Sequence, residues 1–330
     1  MTSVSKYLAL SHSIPAHPSS PNNPLCTPLS FTLTATASHI TLASPPDPSN
    51  STAISEAVYC QPKSHKVKDA KESDKKEKKD DVLQILLHGA TYNKTMWSGF
   101  GFGYPHDWQS FETSQGYHTL ALDRLSHGEN DPRGINPLKD VQMPLQTELL
   151  HQLISFIKSN PSPKPNSKSA STKPKTNPLG RKFNKIALVG HSLGSYLSVA
   201  LARSYPLDAS ALVLTGYSLK PNTLHVASAP WAPAHSVFPA RGFYDNAADA
   251  SGKPYAYDPE LAKTDYVYSD AKTLGEVMSL YDWGVGAEKF EGSVLVATGQ
   301  RDWVCCSPPE EDYSAGKTLE VVHEFWEREI

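Results

Sequence analysis

The stretch KIALVGHSLGSYLSVALA, residues 185–202, decides the fold. Its first half is an apolar run that ends at Gly190, and a helix-like run begins directly after Ser192. The Gly-x-Ser-x-Gly pattern between them predicts a sharp turn from a buried strand into a helix. Strand and helix can approach only if the residues two before and two after the serine are small, and Gly190 and Gly194 meet that need. We expect the turn to strain the Ser192 backbone and to lift its hydroxyl above the carboxyl edge of a sheet.

The helix predicted after Ser192 also matters for chemistry. Beginning at Leu193, it would aim its backbone N–H groups and its positive dipole end at whatever the serine attacks. We expect the ring of His191, inside the turn, to point away from that site. The alternative is a glycine-rich tight turn that carries a solvent-exposed serine, because the bare pattern also arises by chance.

Composition sets the class of protein. The chain has 330 residues, of which 39% are hydrophobic and 20% charged, with a net charge of -3. These values fit one large globular α/β domain with insertions and give no reason to expect a nucleic-acid partner. No apolar run approaches the roughly 20 residues that cross a bilayer, so no membrane span is expected. The apolar stretch near the N-terminus is too interrupted for a clear signal peptide, so the cytoplasm is the default localisation and secretion stays open. Nothing in the sequence determines the oligomeric state.

The cysteines are few. Cys26, Cys60, Cys305 and Cys306 do not have the paired spacing of a zinc site, and nothing else in the sequence implies a metal or another cofactor. We expect buried or free thiols. The alternative is one disulfide that involves the adjacent pair Cys305 and Cys306.

Strand and helix patterns alternate around the opening stretch. Apolar runs that fit buried strands begin at Val82, Tyr117, Ser210 and Ser293. The segment from Pro144, PLQTELLHQLISFIK, instead has the helical period, with a proline that suits a first turn. Runs that are apolar on both faces and separated by helices predict a mostly parallel sheet covered on both sides. The alternating segment 29–42 predicts antiparallel edge strands.

Two segments have the composition of insertions. Residues 63–81 are nearly all charged, with both signs mixed, and predict a disordered linker. Residues 160–178 form a Pro/Ser/Lys-rich low-complexity loop. The expected organisation is an N-terminal region with edge strands, the charged linker, a core, a cap or lid region and the C-terminal part of the core, at residues 1–62, 63–81, 82–216, 217–291 and 292–330.

Three further segments, LLHGATYNKTMW, LALDRLSHGEND and VLVATGQRDW, extend the pattern beyond the serine turn. Together with that turn they resemble the α/β-hydrolase superfamily, in its branch with a serine nucleophile. The motifs HGATY and DRLSHG are similar to those of uncharacterised fungal members. The resemblance covers about residues 82–215, apart from the loop 160–178, and residues 293–303. It implies an α/β-hydrolase fold, which is a mostly parallel central sheet with helices on both faces and a cap insertion.

The resemblance assigns roles to individual residues. Ser192 would be the nucleophile, and the backbone N–H groups of Ala90 and Leu193 would form the oxyanion hole. Asp302 would be the triad acid, although it could also merely cap a turn or pair with Arg301. The residues expected to support the pocket or its loops are His88, Gly89, Asp123, His127, Gly190, His191 and Gly194. Asp123 and His127 are weaker candidates for the acid and the base.

The catalytic base is the difficult assignment. The family order of serine, acid and histidine leaves only His323 after Asp302. If TLEVV is the last strand, His323 lies at its carboxyl end and could reach Ser192. The alternative is an amphipathic terminal helix, with Leu319, Val322, Trp326 and Ile330 at helical spacing. The short interval before this tail suggests a C-terminally abbreviated member, or a gene model that lost the usual ending.

These residues favour a serine hydrolase that cleaves carboxylic esters or lactones through an acyl-enzyme intermediate, without a cofactor. The serine argues against the aspartate-nucleophile chemistry of related dehalogenases and epoxide hydrolases. A carbon–carbon lyase could use the same Ser-His-Asp set. The alternative from another class is a non-catalytic, hydrolase-like binding scaffold that lacks a positioned histidine. The aromatic-rich residues 217–291 could be a lid that selects a small-molecule substrate, or they could be core.

Overall fold

The structure is a computed structural model of the chain. It describes residues 26–38, 48–62, 79, 81–101, 106–130, 135–159, 177–219, 236–237, 260, 264, 267–268, 270–280 and 287–298. Asp302 and His323, the predicted acid and base, lie outside the described residues, as do Cys305 and Cys306.

The core of the described chain is one seven-stranded sheet. The strands of the described chain, including two outside this sheet, are β1 (Cys26–Ser38), β2 (Pro48–Cys60), β3 (Val82–Leu87), β4 (His118–Leu122), β5 (Lys185–His191), β6 (Ala211–Thr215), β7 (Ser236–Val237), β8 (Ala271–Lys272) and β9 (Ser293–Ala297). The sheet has the order β1-β2-β4-β3-β5-β6-β9, and β7 pairs with β8 apart from it. Strands β4, β3, β5, β6 and β9 are parallel, whereas β2 runs antiparallel to both β1 and β4. This is the α/β-hydrolase fold class that the sequence predicts.

The helices cover both faces of the sheet. They are a 3-10 helix (Lys94–Gly101), α1 (Trp108–Ser114), α2 (Met143–Lys158), α3 (Leu193–Ser204) and α4 (Leu274–Leu280). The predicted helix from Pro144 is confirmed as α2, and the proline lies in its first turn. None of the helices in the described ranges is long and apolar enough to span a membrane.

Alternation along the central strands explains the two cores. In β3, Leu83, Ile85 and Leu87 face the larger core, which includes α2 and α3. Leu86 faces the opposite way, into a smaller cluster with Trp97. The period of two in a strand puts successive side chains on opposite faces, so a strand buried on both sides is apolar throughout.

The edge strands are held by a bond that the sequence analysis did not predict. β1 is the predicted antiparallel edge strand, and its first residue, Cys26, forms a disulfide with Cys60 at the end of β2. The two cysteines are directly opposite each other in the β1–β2 register. Our expectation of free thiols is therefore wrong for this pair, because strand pairing brings together cysteines that are 34 positions apart.

Two residues at the end of the charged segment 63–81, Lys79 and Asp81, are among the described residues. Lys79 donates to the Gln115 carbonyl at 3.0 Å, and its Nζ lies 5.0 Å from the centre of the Tyr117 ring. The Asp81 carboxylate accepts a hydrogen bond from the Asn184 side chain at 3.1 Å. Lys79 and Asp81 are therefore in contact with residues of the core domain.

Candidate active site

The candidate site lies at the carboxyl edge of the parallel strands. From β3 the chain passes to β4 on one side, and β5 then lies on the other side of β3. Such a reversal opens a crevice outside the strand ends, which is where ligands bind in α/β sheets. The loop after β3, which begins at His88, and the turn after β5, at Ser192, flank that crevice.

Ser192 has the strained backbone that the sequence predicts. Its φ is 50° and its ψ is -118°, and α3 begins at the next residue. The Ser192 N–H donates to the Thr215 carbonyl at 2.8 Å, which ties the turn to the end of β6. A Cβ on Gly190 would lie 2.5 Å from the Gly194 carbonyl oxygen, and a Cβ on Gly194 would collide with the Leu87 carbonyl. The two glycines are therefore required by close approach of strand, loop and helix.

The loop after β3 packs directly against this turn. A Cβ on Gly89 would lie 3.2 Å from the Ser192 Cβ and 3.0 Å from the His191 ring. Ala90 follows, and Thr91 has a φ of 64°, an uncommon conformation for a β-branched residue. No acceptor among the described residues bonds the N–H of Ala90 or of Leu193. Both predicted oxyanion donors thus keep their hydrogen-bonding capacity within the described part of the chain.

His88 is a structural residue of this loop. Its Nε2 accepts the Arg124 backbone N–H at 3.0 Å, so Nδ1 carries the proton and donates to the Gly89 carbonyl at 2.9 Å. Burial, reinforced by the Arg124 guanidinium, lowers the pKa of His88 well below its ordinary value. His88 therefore stays neutral, and both of its ring nitrogens are hydrogen-bonded, one to the Arg124 N–H and the other to the Gly89 carbonyl.

Asp123, directly after β4, is also fully engaged. Its Oδ1 accepts the Lys94 backbone N–H at 2.8 Å, and its Oδ2 accepts the Glu129 N–H at 2.9 Å and the Lys94 ammonium at 2.5 Å. The side chain is buried, and a Cβ on Gly128 would collide with it. These contacts fit the structural role expected for Asp123, which organises the loop after β4.

A buried polar cluster next to the site is the feature that sequence reasoning missed. Arg124, one residue after Asp123, forms an ion pair with Glu276 of α4. The other Glu276 oxygen accepts from His127 Nε2 at 3.0 Å, and Gln146 of α2 donates to Glu276 at 3.0 Å. Burial alone would raise the pKa of Glu276, but the adjacent Arg124 and His127 hold it well below its usual range. His127, expected to support the pocket or its loop, is a buried member of this cluster.

One local signal in the sequence could have drawn attention to Glu276. Thr273 and Glu276 have the spacing of a capping box, S/T-x-x-E. The Glu276 N–H donates to the Thr273 hydroxyl at 3.3 Å, and the Thr273 N–H donates to the Glu276 carboxylate at 3.4 Å. That pattern predicts the start of α4, but it carries no sign of the contact with Arg124.

The histidines in the described ranges leave the base unassigned. His191 Nδ1–H donates to the Thr215 hydroxyl at 3.0 Å, and that hydroxyl donates to the Gly190 carbonyl. None of the hydrogen bonds among the described residues joins an imidazole to the Ser192 hydroxyl. The described residues also contain no group of three His, Cys, Asp or Glu side chains that could hold a metal ion.

Comparisons with known proteins identify the family of the chain and proteins of similar structure. Residues 84–326 match the model of the Alpha/beta hydrolase family. A probable hydrolytic enzyme from Pseudomonas aeruginosa PAO1 is similar in structure at 14% identity, with 91% of this chain and 84% of that chain covered and a TM-score of 0.51. A hydrolase from Pseudomonas aeruginosa is similar at 16% identity, covering 78% and 80%, with a TM-score of 0.50. A thermophilic esterase from Thermogutta terrifontis matches at 17% identity over 86% of each chain, with a TM-score of 0.46. The curated proteins include no match.

Proposed function

The chain belongs to the alpha/beta hydrolase family, and on that premise we propose that it is a serine hydrolase acting on carboxylic esters or lactones. Family membership supports hydrolase activity in general. The observation that carries the narrower proposal is the strained turn at Ser192, with φ of 50°, at the start of α3 and in contact with the Gly89 loop. Such strain persists where the surrounding structure fixes it, and it is concentrated at functional sites.

The proposed reaction begins with attack of the Ser192 Oγ on the ester carbonyl carbon. The Oγ proton passes to a histidine, and the carbonyl oxygen becomes an oxyanion. The N–H groups of Ala90 and Leu193 would hold that oxyanion. Loss of one such donor typically costs about 2.7 to 4 kcal/mol of transition-state stabilisation, so the position of the Ala90 peptide affects the rate strongly.

The intermediate then collapses. The bond from the carbonyl carbon to the leaving-group oxygen breaks, and the histidine returns its proton to that oxygen, which leaves an acyl group on Ser192. Water attacks the acyl carbon while the same histidine accepts a proton from the water. The bond between the acyl carbon and Ser192 Oγ then breaks, the histidine returns the proton to Oγ, and the carboxylic acid leaves. The atoms and charges of these reaction steps balance without a metal or a redox cofactor.

Asp302 and His323 are the proposed acid and base. The imidazoles of His88, His127 and His191 are engaged with Gly89, Glu276 and Thr215. These engagements favour a base from outside the described residues, and His323 follows Asp302 in the family order. Asp302 would hold the tautomer of His323 that accepts the serine proton.

Hydrolysis of short-chain p-nitrophenyl esters tests the proposal. We expect wild type to turn over the ester, and Ser192→Ala and His323→Ala to lose about 10⁴-fold or more in kcat. Ser155→Ala, at an exposed serine of α2, serves as the matched control and should keep the wild-type rate. An active Ser192→Ala variant would exclude the acyl-enzyme mechanism. A folded but inactive wild type that still binds esters would support the binding scaffold instead.

A further inference from the structure

Resting on the proposed function, we propose that Glu276 is a positioning residue for the oxyanion loop, and that it acts through Arg124 on the peptide that carries the Ala90 N–H. Glu276 lies in α4, outside every motif that resembles the family. Its carboxylate is completely buried beside the loop after β3.

Arg124 is the link between Glu276 and the loop. Its Nε–H donates to the His88 carbonyl at 3.0 Å, and an Nη2–H donates to the Gly89 carbonyl at 3.2 Å. The planar guanidinium presents several donors in a fixed arrangement, so one side chain can bind two successive carbonyls. The backbone N–H of Arg124 adds a third contact, to the His88 ring.

The Gly89 carbonyl decides the direction of the Ala90 N–H. Both belong to the same peptide group, which is planar, so an oxygen that is held fixes the hydrogen on the other side of the plane. That oxygen accepts from Arg124 Nη2 and also from His88 Nδ1, at 2.9 Å. Two donors in different directions therefore restrain rotation of the peptide that contributes the proposed oxyanion donor.

Glu276 in turn fixes the guanidinium. It pairs with Arg124 Nη1, while Gln146 accepts from the same Nη1 at 2.9 Å. Because Arg124 is buried, removal of its counter-charge would leave an uncompensated cation and favour another rotamer or water entry. An arginine that moves in this way would release the His88 and Gly89 carbonyls.

The helix that carries Glu276 is itself firmly seated. The Gly275 N–H donates to the Pro137 carbonyl at 3.1 Å, and the Ser279 hydroxyl accepts the Met143 N–H at 2.9 Å. A Cβ on Gly275 would lie 2.6 Å from the Pro137 carbonyl oxygen. α4 is therefore in close contact with the segment that leads into α2, and the Glu276 carboxylate has a defined place.

Two variants test the role through ester hydrolysis by the full chain. Glu276→Gln removes the charge but keeps the shape, and Arg124→Lys keeps the charge but loses the donors that reach both carbonyls. We expect each to lower kcat by about 10- to 100-fold, because an oxyanion donor acts in the transition state and small displacements are expensive. KM should change by less than about threefold, since ground-state binding does not need the donor. In the double variant the losses should not multiply, because both residues act through one network.

Glu112→Gln is the matched control. Glu112 is a half-buried residue of α1, and its carboxylate accepts a hydrogen bond from the Gln84 side chain at 2.7 Å. Its replacement should leave kcat unchanged. Wild-type kcat in folded Glu276→Gln and Arg124→Lys would overturn the inference while the proposed function stood. A rise in KM alone would also overturn the inference, because the network would then serve substrate binding. Failure of both variants to fold would overturn it as well, because the network would then serve folding. An inactive wild type would refute the proposed function and the inference together.

Discussion

The strain at Ser192 is opposed by contacts on both sides of the residue. A non-glycine backbone in such a conformation costs on the order of 1 to 3 kcal/mol and persists only where its neighbours fix it. Here the Ser192 N–H bonds the Thr215 carbonyl at 2.8 Å, and its own carbonyl accepts the Ser195 N–H at 2.8 Å. These two hydrogen bonds therefore fix the strained backbone of Ser192 directly before α3.

His88 gives the molecule a defined dependence of stability on pH. Its pKa is near 6.5 in an unfolded chain and lies well below that value in the folded protein, first because of burial. Below pH 6.5 the unfolded chain therefore binds more protons than the folded one. The contribution of His88 to the free energy of unfolding is complete above pH 6.5 and is lost as the pH falls towards its folded pKa, by at most about 1.4 kcal/mol per pH unit.

Urea unfolding between about pH 8 and about pH 5.5 measures this loss. His88→Asn should be less stable than wild type at the upper end and should show a shallower decline towards the lower end. His151→Asn, at a half-buried histidine beside Asp208, should keep the decline that His88 causes. An unchanged slope in His88→Asn would contradict the assignment.

Glu276 affects stability in a different pH range. A carboxylate with a lowered pKa loses its contribution to the free energy of unfolding only as the pH falls below its ordinary pKa of 4.5.

At the residue scale, prediction from sequence worked where the constraint is local. Gly190, Ser192 and Gly194 lie within five consecutive residues, and close backbone approach dictates the two glycines. The role of Glu276 could not be predicted, because its partner Arg124 is 152 positions away and the capping box explains the residue without that contact. His127 was expected to support the pocket or its loop, and the sequence does not predict that its side chain contacts the buried Glu276 carboxylate.

At the scale of elements, the strands β1 and β2 form an antiparallel pair that extends the parallel sheet. β2 also orders the loop after β4, since the Glu56 N–H donates to the Asn130 side chain at 2.8 Å and the Glu56 carbonyl accepts the Asp123 N–H at 2.8 Å. The disulfide between Cys26 and Cys60 closes one end of this pair.

The disulfide should stabilise the protein measurably. The bond closes a loop of 34 positions, for which the chain-entropy account gives about 3 to 4 kcal/mol. Cys26→Ser combined with Cys60→Ser should lower the free energy of unfolding in urea by that amount, and reductant should lower wild type equally. Peptide mapping after alkylation without reductant should find both cysteines unmodified. Alkylation of Cys26 and Cys60 before reduction would show that the bond is absent in solution.

Prediction at this scale depended on how strong each pattern is. β3 and β5 have continuous apolar runs, and α2 has helical periodicity. Each of these patterns fits few other secondary structures. The β2 segment PSNSTAISEAVYC has no such run, and one of its two pairing partners, β4, follows in the chain only after β3. Sequence analysis therefore expected edge strands in residues 1–62 without locating this one.

At the scale of the whole molecule, the fold brings together residues from five separate parts of the chain. His88 follows β3, Arg124 follows β4, Gln146 lies in α2, Ser192 follows β5 and Glu276 lies in α4. The order of strands and helices predicts the common sheet edge for His88, Arg124 and Ser192, since parallel strands end together. It does not predict which helix side chains reach that edge, because such contacts depend on how α2 and α4 pack.

The most direct test of the central claim is covalent labelling of the intact, folded wild-type chain with a fluorophosphonate, followed by peptide mapping by mass spectrometry. An activated serine attacks the phosphorus atom and displaces fluoride. The account predicts a single adduct on the peptide that contains Ser192, and no adduct in the Ser192→Ala variant. A folded chain that remains unlabelled, or an adduct on another residue, would contradict the account.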